Sequence, residues 1–137
     1  MKILFMCVAN SARSQMAEGL ARVIFGSKAE VASAGSDPKF VHPLAQKALA
    51  EIGINISTQC SKSWENLKPE FREKLNYLIT LCAEEVCPVV PGFKAKKLHW
   101  PMPDPAANKG SEIEQLNQFR IVRDQLNLKL LEFSKKI

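Results

Sequence analysis

The apolar run at the N-terminus passes without a linker into a short loop that has a thiol at one end and a guanidinium at the other. The run covers residues 2–6, and the loop reads Cys7-Val8-Ala9-Asn10-Ser11-Ala12-Arg13-Ser14. The pattern predicts a buried strand over 2–6 and a helix from Ser14 to Phe25. The loop therefore joins the carboxyl end of a strand to the N-terminus of a helix, which is where ligands bind in α/β sheets.

The loop has the composition of an oxyanion site. Successive backbone N–H groups in a tight loop form a concave anion site, and the helix N-terminus adds partial positive charge. Arg13 supplies a planar bidentate donor, and the same field favours the thiolate of Cys7. A cysteine can also be only a small buried hydrophobe, but the position between strand and helix favours a nucleophile that attacks a phosphate-like oxyanion. The residues expected to bind the oxyanion are Val8, Ala9, Asn10, Ser11, Ala12, Arg13 and Ser14.

The remaining apolar segments alternate between strand and helix. Strands are predicted over 30–34, 77–81 and 97–100, and helices over 43–52 and 111–135, with a short helix near Trp64. Apolar strands separated by helices predict an α/β fold, a four-stranded parallel sheet with helices on both faces, in a single domain over 1–137. The expected core faces of the helices are Met16, Leu20, Val23 and Ile24; Leu44, Ala48, Leu49 and Ile52; and Ile113, Leu116, Phe119, Val122, Leu126, Leu130 and Phe133.

Composition excludes several classes of function. The net charge is +5, and the lysine run over 94–97 has no interleaved aromatic residues, so it predicts a solvated edge and not a nucleic-acid site. No apolar run approaches the roughly 20 residues that span a bilayer. Residues 1–7 are too few for a signal peptide. We therefore expect a cytoplasmic protein that binds neither nucleic acid nor membrane.

The four cysteines predict catalytic or redox chemistry. They are Cys7, Cys60, Cys82 and Cys87. Structural disulfides are rare inside cells, and the Cys82–Cys87 spacing without a nearby histidine does not fit zinc. No metal or other cofactor is therefore expected. Cys7 and Cys82 each follow a predicted strand, so the two thiols lie close together if those strands are neighbours in the sheet.

Four motifs together resemble one known family along essentially the whole chain. The chain resembles the thioredoxin-coupled arsenate reductases, which share the fold of the low-molecular-weight protein tyrosine phosphatases. The loop is common to both groups, whereas the later cysteines and the His-Trp segment are more particular to the reductases. The motifs are Cys7 to Ser14 continuing into Gln15-Met16-Ala17-Glu18-Gly19; Ser33-Ala34-Gly35; Thr80-Leu81-Cys82 with Cys87-Pro88; and His99-Trp100 with Asp104-Pro105-Ala106.

The resemblance implies a three-thiol mechanism. Cys7 would attack the arsenic of bound arsenate while Arg13 and the loop amides hold its oxygens, and Asp104 would act as the general acid. Cys82 would attack the Cys7–arsenic adduct, release arsenite and form a Cys7–Cys82 disulfide. Cys87 would then carry the disulfide outward as Cys82–Cys87, and thioredoxin would reduce it.

The resemblance also implies supporting roles, with some departures. The Ser14 hydroxyl would hydrogen-bond the Cys7 thiolate, and Asn10 would brace the loop. Some members bind potassium near the equivalents of Asn10 and Glu18 together with an aspartate. Lys62 stands in place of that aspartate, so its ammonium group can replace the cation and no metal is predicted. The gap between Cys82 and Cys87 is shorter than in some members, which requires a non-helical or unwound segment for a disulfide.

Two other functions remain open. A low-molecular-weight tyrosine phosphatase would use Cys7, Arg13 and Asp104 to hydrolyse phosphate monoesters through a phosphocysteine. The phosphatases carry tyrosines after the acid, whereas this chain has Pro-Ala-Ala over 105–107. A non-catalytic oxyanion-binding or redox-sensing module is the third alternative. The reductant also stays open: it is thioredoxin, glutaredoxin or a small thiol. We expect the protein to be a monomer. We expect Trp100 to serve in packing and Cys60 to have no role in the reaction.

Overall fold

The computed structural model describes residues 1–83 and 94–137. Its described residues form one sheet of four parallel strands in the order β2-β1-β3-β4. The strands are β1 (Lys2–Cys7), β2 (Glu30–Gly35), β3 (Tyr77–Thr80) and β4 (Lys96–His99). The predicted fold class is confirmed, and each predicted strand lies within two residues of its expected bounds.

Helices cover both faces of the sheet, but unequally. They are α1 (Arg13–Phe25), α2 (Pro43–Ala50), α3 (Pro69–Glu73) and α4 (Glu112–Ser134). Helices α1, α2 and α4 pack over the face that carries Ile3 and Phe5. Helix α3, which is little more than one turn long, packs through Phe71 against Leu4 and Met6 on the other face. Because both faces are covered, β1 is apolar and buried from Ile3 to Cys7.

Three residues predicted to lie in the core are exposed instead. Val23, Ile52 and Ile113 are 65%, 46% and 71% exposed. Helix α1 is buried on all sides from Arg13 to Ala21, but only Phe25 is buried in its last turn, so Val23 is left exposed. Helix α2 ends at Ala50, before Ile52, and Ile113 lies in the first turn of α4, before that helix reaches the core at Leu116.

The region between α2 and β3 is more structured than its sequence indicates. The short helix predicted near Trp64 is a 3₁₀ turn over Trp64–Asn66, and the sequence analysis missed α3, which follows it. Trp100 packs as expected, with its ring centroid 5.5 Å from that of Phe133. In the described ranges no helix is long and apolar enough to cross a membrane.

Candidate active site

The loop after β1 holds its carbonyl groups on the outside. The carbonyls of Val8, Ala9 and Ser11 accept hydrogen bonds from the backbone N–H groups of residues 37, 39 and 42, at 2.9–3.0 Å. The carbonyl of Asn10 accepts from the side-chain amide of Gln15 at 3.2 Å. The C=O and N–H of a trans peptide unit point in opposite directions. The N–H groups of residues 9–12 are therefore directed away from these partners, as an anion cradle requires.

The loop presses directly on Gly35 at the end of β2. A Cβ atom built on Gly35 would lie 2.4 Å from the carbonyl oxygen of Val8 and 2.9 Å from the backbone nitrogen of Asn10. Asn10 itself is fully buried and has a left-handed φ of 47°, a conformation that asparagine tolerates better than most residues. The curvature of the loop thus depends on a glycine beneath it and an asparagine at its tightest point.

A chain of hydrogen bonds runs from Lys62 through Asn10 and Ser14 to Cys7. The backbone N–H of Lys62 can only donate, and it binds Oδ1 of Asn10 at 3.0 Å. The amide nitrogen of Asn10 therefore faces Ser14 and donates to its Oγ at 2.7 Å. Cys7 Sγ lies 2.9 Å from the same Oγ, and when Cys7 is a thiolate only the Ser14 hydroxyl can donate in this pair. Such a donor stabilises a thiolate over a thiol.

A second amide, which the sequence analysis did not single out, braces the same loop. Nε2 of Gln15 is 3.0 Å from both Oδ1 of Asn10 and the carbonyl oxygen of Cys60, and its Oε1 accepts from Gln59 at 2.8 Å. Gln15 is completely buried. A glutamine directly after the Arg-Ser pair of the loop was the signal available in the sequence, but its partner segment over 59–62 has no recognisable pattern.

Arg13 is buried (5% exposed) at the start of α1 and reaches across to the segment that carries Asp104. Its Nη1 donates to the carbonyl of Met102 at 3.1 Å, and the N–H of Met102 donates to the carbonyl of Leu81 at 3.1 Å. Asp104 is partly exposed, and its carboxylate caps the next 3₁₀ turn by accepting from Ala106 N–H. Met102 thus links the end of β3, the guanidinium and the candidate acid.

Two buried thiols lie at the carboxyl edge of the sheet, at the ends of neighbouring strands. β1 and β3 are parallel neighbours with Met6 paired to Thr80, and Leu81 N–H still donates to the carbonyl of Met6 at 3.0 Å. Cys7 is the last residue of β1, and Cys82 follows the end of the neighbouring strand β3 by two residues. Both thiols are buried, whereas Cys60 is exposed. Cys87 lies outside the described residues.

Lys62 stands beside the buried carboxylate of Glu18. Its Nζ is 3.8 Å from Oε1 of Glu18, which is 2% exposed and also accepts from Ser33 Oγ at 2.7 Å. Arg22 completes the pairing through Oε2 at 2.6 Å. Within residues 1–83 and 94–137, no three or more His, Cys, Asp or Glu side chains cluster as a metal site.

Comparison with known proteins agrees with this geometry. The chain matches the family model described as low molecular weight phosphotyrosine protein phosphatase over residues 2–137. An arsenate reductase of Halalkalibacterium halodurans is 40% identical over 135 residues, 97% of this chain and 94% of the relative.

Solved structures give the same result. A structure described as an arsenate reductase in the phosphate binding state superposes with a TM-score of 0.80 at 33% identity, covering 99% of this chain and 98% of that one. A thioredoxin-dependent arsenate reductase of Corynebacterium glutamicum superposes with a TM-score of 0.73 at 32% identity, covering 98% of this chain and 60% of that one. This chain belongs to the low molecular weight phosphotyrosine protein phosphatase family and, within it, to the arsenate reductases.

Proposed function

We propose that this protein reduces arsenate to arsenite by attack of Cys7 and a disulfide relay through Cys82 and Cys87, with thioredoxin as the reductant. The observation that carries the proposal is the pair of buried thiols at the ends of neighbouring parallel strands, beside the loop with outward carbonyls. A hydrolytic phosphatase needs the first thiol but has no use for the second.

In the first step the cradle binds arsenate and the Cys7 thiolate attacks arsenic. The N–H groups of the loop from Val8 to Ser14 and the guanidinium of Arg13 hold the oxygens and offset their charge. Asp104 donates a proton to the departing oxygen, which leaves as water. The Ser14 hydroxyl, 2.9 Å from Cys7 Sγ, stabilises the thiolate that attacks and, in the last exchange, the Cys7 thiolate that Cys87 frees from the disulfide.

In the second step the electrons come from sulfur. The Cys82 thiolate attacks the sulfur of Cys7, the sulfur–arsenic bond breaks, and its electron pair stays on arsenic, which leaves as arsenite. The product is a Cys7–Cys82 disulfide. Cys87 then attacks Cys82 and frees Cys7, and the dithiol of thioredoxin reduces the Cys82–Cys87 disulfide by exchange. The name of the Corynebacterium glutamicum relative, a thioredoxin-dependent enzyme, supports this choice of reductant.

The proposed reaction requires no metal ion or other cofactor. The ammonium group of Lys62, which neighbours Glu18, takes the place of a bound monovalent cation, so no metal or other cofactor is needed. We propose a single catalytic domain over 1–137 that acts as a monomer in the cytoplasm.

The test is a coupled assay with arsenate, thioredoxin, thioredoxin reductase and NADPH. We expect sustained, arsenate-dependent NADPH oxidation that is lost in Cys7→Ser and in Cys82→Ser and is retained in the matched control Cys60→Ser. Oxidation that persists in Cys82→Ser would refute the relay. Hydrolysis of a small aryl phosphate without any arsenate reduction would instead assign the phosphatase function.

A further inference from the structure

His42 connects the outside of the anion loop to two helices. Its backbone N–H donates to the carbonyl of Ser11 at 3.0 Å, and its own carbonyl accepts from residues 45 and 46 in the first turn of α2. Its ring nitrogen Nδ1 accepts from the N–H of Leu44 at 3.1 Å and so caps α2. The ring also packs against Phe119 of α4, with centroids 4.7 Å apart.

The cap works only while the ring is neutral. Nδ1 can accept from Leu44 N–H only through a free lone pair, and a protonated ring presents a donor to that N–H instead. Residue 43 is proline and has no N–H, so Leu44 offers the first donor of the helix. Burial lowers the pKa of His42, and the charge of Asp104 acts in the opposite direction.

Among residues 1–83 and 94–137, few other charges act on the ring. On its own segment, Lys39 and Asp37 form an ion pair with each other at 2.9 Å. On α4, the arginines that follow Phe119, residues 120 and 123, pair with Glu51. On α2, Lys47 is exposed one helical turn beyond the cap. A proton on His42 would therefore sit mainly beside Asp104, which offsets its charge, so that the dominant effect is loss of the cap.

We propose that His42 is a positioning residue for oxyanion binding, and that its protonation loosens the segment over 37–42 from the anion loop and weakens binding in mildly acidic solution. That segment supplies the three backbone donors that hold the carbonyls of Val8, Ala9 and Ser11 outward. Loss of the cap removes the hydrogen bond that fixes the His42 side chain to the first turn of α2, so the segment is held less tightly against the loop. The proposal rests on the proposed function only in that this loop binds a tetrahedral oxyanion.

The test compares three proteins with inorganic phosphate as the probe, so that no reduction step enters. His42→Asn keeps a capping side chain that does not titrate, and His42→Ala removes the cap. NMR titration gives the phosphate dissociation constant at pH 8 and pH 5.5, and amide exchange of residues 39, 42 and 44 reports on the segment. We divide the phosphate dissociation constant of the wild type by that of His42→Asn at the same pH. Because phosphate and the other titratable groups change protonation equally in both proteins, their effects cancel in this ratio.

We expect that ratio to be near one at pH 8 and about fivefold higher at pH 5.5, the scale of a lost helix cap. The amides of residues 39, 42 and 44 should exchange faster in the wild type than in His42→Asn only at the lower pH. His42→Ala should bind phosphate more weakly than His42→Asn at both pH values. The proposal would be overturned if the ratio did not change with pH or fell in acid. It would also be overturned if His42→Ala and His42→Asn bound phosphate equally well. Because phosphate binding is measured directly, this experiment would still test the role of His42 if the protein did not reduce arsenate.

Discussion

Replacing Gly35 by alanine tests whether the shape of the anion loop is set from beneath. The new Cβ would lie 2.4 Å from the Val8 carbonyl oxygen and 2.9 Å and 3.0 Å from the backbone nitrogen and Cβ of Asn10. These atoms belong to the loop itself and cannot rotate away, so the loop must move by about 0.6 Å to restore a 3.0 Å separation. Displacements near 1 Å cost on the order of 100-fold in rate.

We therefore expect Gly35→Ala to lower kcat/KM for arsenate by roughly ten- to 100-fold. Overpacking should also lower the free energy of unfolding by about 1–3 kcal/mol. The matched control is Gly53→Ala. Gly53 has a φ of 81° with open space around it, so alanine there should cost about 1–2 kcal/mol of stability through backbone strain and leave the loop intact.

The assay is the thioredoxin-coupled rate per folded molecule, with the folded fraction taken from urea unfolding of each variant. Loss of activity in Gly35→Ala but not in Gly53→Ala is the expected pattern. If Gly35→Ala stays within twofold of the wild type, or if both variants lose activity in proportion to stability, the loop does not depend on this contact and the reasoning is refuted.

Three further predictions concern the groups around this loop. Ser14→Ala removes the donor to Cys7 and should slow alkylation of that thiol by iodoacetamide about tenfold, the scale of a hydrogen bond to a charged group; an unchanged rate would contradict this hydrogen bond. Replacing sodium by potassium at constant ionic strength should not change the wild-type rate, whereas Lys62→Asp should make the rate depend on potassium because Glu18 loses its neighbouring ammonium; a potassium response in the wild type would count against this. The two arginines on α4 lower the pKa of Glu51 from 4.5 to about 2, so the unfolded chain binds more protons between those values and stability falls as pH drops from 4.5 towards 2; urea unfolding should show a smaller decline in Glu51→Gln.

The fold was predictable because the sequence of β1 and of the loop after it is compatible with few classes of fold. An apolar strand that ends in a cysteine and runs into a helix implies a parallel sheet with a site at its carboxyl edge, and the structure has that arrangement. The alternation of later apolar runs placed the other three strands that the described residues form. The exposed positions of Val23, Ile52 and Ile113 were not predictable, since apolar periodicity gives the direction of a helix face but not how far a neighbouring element covers it.

The site was only partly predictable, for a related reason. Cys7 and Arg13 are close in the chain, so their spacing carries the information. The contacts of Gln15 with Cys60, of Arg13 with Met102 and of His42 with Ser11 join segments 31–89 residues apart. Such pairs depend on how the elements pack, and no local pattern in one sequence encodes them.

The measurement that tests the central claim most directly uses the Cys87→Ser variant, mixed with arsenate in the absence of any reductant. Our account predicts that each molecule releases one arsenite and then stops, with mass spectrometry of its peptides finding a disulfide between Cys7 and Cys82. The three-thiol relay would be contradicted if no arsenite were released or if the disulfide involved Cys60 instead. Continued turnover on addition of thioredoxin would contradict it as well.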